Sequence, residues 1–134
     1  MKTFDVQSIG IEASRSRVFE FVADPSNLPK WAHAFKSADA RSARLETPQG
    51  TVAIELRTEA HKEAGTVDWT MTFPDGPVGT AYARVTPNGE DSSVFSFVLM
   101  APPVSLAALE GALDAQRKTL AEELRRLKTI LEAP

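Results

Sequence analysis

The chain contains no cysteine, which removes disulfide frameworks, thiol nucleophiles and cysteine-based zinc sites together. It also makes a reducing compartment, the cytoplasm, the expected location. Positive charge is not in surplus: 15 Lys and Arg stand against 18 Asp and Glu, a formal net charge of -3. A phosphate backbone is held by clustered basic groups, so nucleic acid is not an expected partner. No apolar run approaches the roughly 20 residues of a membrane span, and the opening MKTFDVQSIGIEAS alternates polar and apolar residues instead of joining a basic end to an apolar run. Neither membrane insertion nor a signal peptide is expected. The two histidines, His33 and His61, stand apart without HxxxH or HxH spacing, so no metal is expected. A GxSxG elbow, a glycine-rich phosphate loop and a dinucleotide fingerprint are all missing, which disfavours hydrolases, NTPases and Rossmann dehydrogenases and leaves no cofactor implied.

What is present suits one globular domain over residues 1–134. The length of 134 residues supports one core and is too short for two, and 43% hydrophobic with 25% charged residues is too apolar for a disordered chain. From Phe4 to Glu12 the pattern is strand-like, and Ser14 then offers a cap for a helix through Val22, with Val18, Phe21 and Val22 as its buried face. Asp24-Pro25 repeats the start signal, but Pro29 limits this second helix to about one turn, anchored by Leu28 and Trp31. The segment Trp31 to Phe35 leads out toward strands and is expected where helices and sheet meet.

Period-two alternation marks Val52-Ile54-Leu56, Val67-Trp69-Met71-Phe73, Ala81-Ala83-Val85 and Phe95-Phe97-Leu99 as half-buried strands, with a weaker one over Arg41 to Thr47. The stretches Pro48-Gln49-Gly50, Glu63-Ala64-Gly65, Pro74-Asp75-Gly76-Pro77 and Pro87-Asn88-Gly89 supply turns, so the strands join as antiparallel hairpins. After Pro102-Pro103, with Ser105 as a cap, Leu106, Leu109, Leu113, Leu120, Leu124, Leu127 and Leu131 recur three or four apart. This predicts one long amphipathic helix whose other side carries Asp114 with Lys118 and Glu122 with Arg126. Coiled-coil pairing competes for that stripe, but the sheet also presents apolar side chains that must be covered. Docking on the sheet is therefore expected, and a homodimer stays open but is not indicated.

The expected fold class is α+β of helix-grip type: a curved antiparallel sheet of about six strands, two short helices after the first strand, and a long C-terminal helix across the concave face. A cylinder cannot fill a curved trough, which predicts leftover space between them. Inward candidates mix large residues (Trp69, Phe73, Phe97) with small ones (Ala81, Ala83), which leaves open whether that space is filled. Gln116 falls at the margin of the leucine stripe, where a buried amide needs a hydrogen-bond partner and an exposed one does not. Gly111 lies in mid-helix on the outer side, permitting a bend.

Three features together resemble one family: Ile9-x-Ile11-Glu12-Ala13-Ser14 running through Val18-Phe19-x-Phe21-Val22-Ala23-Asp24-Pro25, then Leu28-Pro29-x-Trp31-Ala32, then the leucine helix. They are similar to the polyketide cyclase/dehydrase and lipid-transport family of the START-like (SRPBCC) superfamily, over almost the whole chain. The resemblance implies the helix-grip fold and a hydrophobic ligand held between sheet and helix. It names no ligand.

The function expected is binding or carriage of a lipid-like, aromatic or polyketide small molecule in a cavity lined by Trp31, Phe35, Ile54, Leu56, Trp69, Met71, Phe97, Leu109, Leu113 and Gln116. One alternative is a cyclase or aromatase using the same cavity. No catalytic residue is assigned; the candidates are His33, whose ordinary pKa suits proton transfer, and Tyr82. Tyr82, Arg84, Glu55 and Arg57 alternate away from the apolar positions, so they enter the cavity only if the strand phase is reversed. A further alternative is a protein-interaction module with a closed interior.

Overall fold

The computed structural model describes residues 3–47, 50–101 and 106–134, the side chains of 47 and 106–112 excepted. Strand β1 (Phe4–Ile11) leads into helix α1 (Arg15–Ala23), a 3-10 turn (Pro25–Asn27) and the one-turn helix α2 (Leu28–Trp31). Strands β2 (Phe35–Ala38), β3 (Ser42–Thr47), β4 (Gly50–His61), β5 (Thr66–Thr72), β6 (Val78–Pro87) and β7 (Ser93–Met100) follow, and helix α3 (Leu106–Glu132) closes the chain. The strands form one antiparallel sheet in the order β1-β7-β6-β5-β4-β3-β2. β1 and β2 are therefore its two edges, and α1 and α2 carry the chain from one to the other.

The helix starts follow from capping. Ser14 Oγ accepts from Arg17 N at 3.2 Å, and Asp24 Oδ1 accepts from Ser26 N at 3.0 Å ahead of Pro25. Each satisfies a backbone donor that the first turn leaves orphaned. The buried face of α1 is Val18, Phe19 and Val22. This corrects the expectation for Phe21, which is half-buried beneath Lys30, whose Nζ lies 6.0 Å from the ring centroid. Residues 18, 19 and 22 are neighbours at helical spacing, and Phe19 turns inward with them.

The sheet has seven strands where the alternation suggests about six. The additional one, β2, is only four residues long, and its register against β3 shifts between Phe35 and Ser37. A bulge in so short a strand breaks the period-two pattern that would reveal it. Elsewhere the phase is as expected, with Ala81, Ala83 and Val85 buried and Tyr82 40% exposed.

Gly65 ends the β4–β5 turn at φ +75°, and a Cβ there would stand 2.5 Å from the Val85 carbonyl oxygen. Only glycine combines that conformation with that approach. Val85 N in turn donates to Gly65 O at 2.8 Å, and the Arg15 guanidinium donates to the carbonyls of Lys62 and Glu63, so α1 holds this turn from outside.

Helix α3 buries Leu113, Leu120, Leu124, Leu127 and Leu131, none more than 5% exposed. The Leu106 and Leu109 side chains, the surroundings of Gly111, and the Pro102-Pro103, Ser105 and Pro48-Gln49 signals lie outside the described residues. Polar bonds fix the helix along β1: Gln7 Nε2 donates to Arg117 O at 2.8 Å, Lys128 Nζ to Gly10 O at 2.9 Å, and Glu12 N to Glu132 Oε2 at 2.8 Å. On its solvent side Asp114 pairs with Arg117 at 2.5 Å and with Lys118 at 3.9 Å. Among the described residues no helix is long and apolar enough to cross a membrane.

Candidate functional site

The floor of the site comes from the pairing register. β6 places Gly79, Ala81 and Ala83 opposite Met71, Trp69 and Val67 of β5, and places Ala81 and Ala83 opposite Leu99 and Phe97 of β7. A strand of small residues between two strands of large ones leaves a furrow along the concave face. Trp69 and Phe97 stack beside it with centroids 5.7 Å apart and planes at 29°.

The end wall is Trp31. Its one-turn helix stops at Ala32, whose backbone is extended, and this holds the indole 2% exposed against the sheet. The ring meets Phe95 edge-on at 5.9 Å and 89°, and Phe97 at 6.4 Å and 84°. Such edge-to-face contacts contribute beyond simple area burial and make the wall stiff. Trp31 Nε1 and Trp69 Nε1 find no acceptor among the described residues, at on the order of 1–3 kcal/mol each for a buried unpaired donor.

Helix α3 spans this floor and wall with Ala115, Gln116, Thr119, Leu120 and Glu123. Together they enclose a cleft of about 550 Å³, completed by Leu28, Ala32, Phe35, Met71, Ala81 and Leu99. Its exposed rim is His33, Ala34, Glu46, Ala115 and Gln116. Clefts of about 300–1,000 Å³ with apolar walls and a few placed polar groups are the usual sites for small molecules.

Six of the ten residues expected at the site line this cleft: Trp31, Phe35, Trp69, Met71, Phe97 and Gln116. Ile54, Leu56 and Leu113 are buried at 4%, 3% and 5% exposure but do not line it. Ile54 instead borders a separate depression with Phe73, Pro74 and Gly76. The side chain of Leu109 lies outside the described residues. Gln116 is exposed on the rim, so its amide carries no burial cost. Of the two acid/base candidates, His33 stands on the rim, whereas Tyr82 alternates with Ala81 and Ala83 onto the opposite face of the sheet, outside the lining.

Glu123, like Glu46, Ala115 and Thr119, is a cleft residue that the alternation patterns did not single out. It is half-buried on α3, and its Oε2 accepts from His33 N at 2.5 Å. Burial pushes its pKa above the ordinary carboxylate value, against the lowering influence of the His33 amide, the His33 side chain and Arg126. Its position three residues after Leu120 and one before Leu124 sets it within the leucine stripe, the one signal that would have found it. The other cleft carboxylate, Glu46, is exposed and already engaged by Lys36 at 3.4 Å and by Thr51 Oγ1 at 3.3 Å. Among the described residues no three of His, Asp and Glu converge as metal ligands.

A curled antiparallel sheet gripping a long C-terminal helix over an apolar cleft defines the helix-grip, START-like fold. Solved structures share that architecture. A START superfamily protein from Mycobacterium smegmatis superimposes with a TM-score of 0.75 at 14% identity, over 96% of this chain and 97% of that one. The Zhui aromatase/cyclase from a Streptomyces species gives 0.77 at 8% identity, over 96% and 93%. No curated protein matches the sequence significantly. The family model for polyketide cyclase/dehydrase and lipid transport matches residues 6–132, and the chain belongs to that family.

Proposed function

We propose that this protein binds and carries a hydrophobic small molecule, lipid-like or aromatic, in the cleft between the concave sheet face and α3. The observation that carries the reading is the cleft itself: about 550 Å³, walled by Trp31, Phe35, Trp69, Met71, Phe97 and Leu99. Apolar walls of this extent favour a guest that leaves water, at about 25 cal/mol per Å² of apolar surface covered. An interaction module with a closed interior is disfavoured by the same volume. The missing cysteines support work in a reducing compartment, the cytoplasm.

The test is titration with the neutral fluorophore Nile red, comparing the parent protein with Ala115→Trp. Ala115 is exposed on the rim, so an indole there fills the cleft without entering the core. Saturable micromolar binding, weakened about tenfold or more by the substitution at unchanged Tm, supports the reading. Binding absent from the parent protein, or indifferent to the substitution, overturns it.

A second reading, a cyclase-type enzyme, draws on the juxtaposition of His33 on the rim with half-buried Glu123, which accepts the His33 backbone N–H. It requires turnover of a poly-β-keto thioester that His33→Ala abolishes while binding persists. If no such thioester is consumed, the binding reading stands alone.

A further inference from the structure

Both tryptophans of the chain, Trp31 and Trp69, stand on the lining of the cleft. They are 2% and 3% exposed, with ring centroids 6.4 Å apart and planes at 60°. An indole N–H donates and cannot accept. Neither donor has a partner: Nε1 of each ring is buried and bonded to nothing among the described residues. The hydroxyl of Thr58, directly across from Trp69 in the β4–β5 register, is itself unpaired and so does not serve the indole.

Two orphaned donors on neighbouring rings are unusual, because buried polar groups are nearly all satisfied and each exception costs free energy. The aromatic contacts account for where the rings sit, since Trp31 meets Phe95 and Phe97 edge-on and Trp69 stacks on Phe97. Phenylalanine would make contacts of that kind with no donor to strand. What the nitrogens add is the capacity to bond an acceptor, and the cleft is the open volume that both rings border. Both nitrogens are closed to bulk water, so an acceptor reaches them from a guest that presses into the wall. The lining can yield: Met71, two residues from Trp69 on the same face of β5, is half-buried and has an unbranched side chain that repacks readily.

We infer that the cleft recognises hydrophobic guests carrying a hydrogen-bond acceptor, a ketone, ester or quinone oxygen, which takes an indole N–H of the Trp31–Trp69 pair. A carbonyl oxygen has two lone pairs and can accept from both. The inference rests on the binding function proposed above and specifies the polar group of the ligand.

The experiment pairs two probes of one shape: 2-acetylnaphthalene, which carries a carbonyl oxygen, and 2-isopropenylnaphthalene, which carries a methylene in its place. Because the chain has two tryptophans, a proton–nitrogen correlation spectrum of the labelled parent protein shows two indole N–H signals. The ketone is expected to move at least one of them downfield, as a new hydrogen bond does, and further than the alkene, which reports the ring current of the naphthalene alone. In titrations, Trp31→Phe or Trp69→Phe should weaken the ketone about threefold to tenfold and leave the alkene within about twofold. Comparing each probe with itself across variants removes the difference in hydration between ketone and alkene, and circular dichroism and Tm verify that each variant is folded. Where a variant does not fold, the spectrum of the parent protein decides alone. If both probes bind but neither indole signal moves further downfield with the ketone than with the alkene, or if both variants weaken the two probes equally, the acceptor inference is overturned while binding in the cleft stands. If neither probe nor Nile red binds, the binding function itself fails.

Discussion

Glu123 Oε2 accepts the backbone N–H of His33 at 2.5 Å, joining α3 to the segment that leaves the one-turn helix α2. Across the helix, bonds to Gln7 and Gly10 of β1 and to Glu12 just after it hold α3 to that edge of the sheet. The side of α3 that faces the cleft thus rests on a bond to a carboxylate whose burial opposes its own ionisation.

That opposition has a measurable sign. A carboxylate whose folded pKa is raised imposes no cost below its unfolded value, and destabilises the fold progressively as pH rises toward the folded value. Glu123→Gln should therefore gain in Tm relative to the parent protein as pH is raised from about 4 to 8, the difference growing through the titration of Glu123. Thermal melts of both proteins across that range check it, and a flat difference contradicts the burial of this side chain.

Glu132 has the opposite sign. The Glu12 amide first, and then Lys128, hold its pKa below the ordinary carboxylate value. Its contribution is present above the unfolded value and lost as pH falls through the folded one. Glu132→Gln should therefore lower Tm at neutral pH and converge with the parent protein in acid.

At Gly65 the expectation is mechanical. Alanine there must adopt φ +75° and meet the Val85 carbonyl oxygen at 2.5 Å. Gly65→Ala should cost at least about 1–3 kcal/mol, read from urea denaturation. Gly76→Ala, at φ +100° but with open space around it, should cost less because only the backbone term remains.

Leu127 is fully buried by its own chain, which bears on the coiled-coil alternative. Leu127→Ala should destabilise by about 2–5 kcal/mol. The Tm of parent and variant should be independent of protein concentration, whereas a stripe buried between two copies would make it rise with concentration.

Much of the architecture was legible because local chemistry and tertiary packing agree. The turn signals at Gly65, Gly76 and Gly89 are met by positive φ values of 75°, 100° and 87°, and the leucines from 113 to 131 fall on the buried face. β2 escaped because four residues with a bulge carry no period. At the site, aromatic positions on alternating strands pointed to Trp69 and Phe97, but alternation reports only which face a residue occupies. How far along that face the furrow runs is set by register, which is why Ile54 and Leu56 share the phase of the lining residues without joining them. Glu123 was obscured because a charged residue in an amphipathic helix reads as solvent-facing unless its place in the stripe is weighed above its charge.

The two edge strands differ in how long each must wait for its partner. Phe35 of β2 pairs with Leu45, nearby in the chain, whereas Phe4 of β1 pairs with Met100. During synthesis, β1 and α1 therefore emerge well before β7, and the strand that anchors α3 cannot join the sheet until nearly the whole chain is available. Contacts of such long sequence separation slow folding. An early stop anywhere before β7 would strand the β1 edge unpaired, so truncation should produce an aggregation-prone fragment and not a smaller working version of the fold.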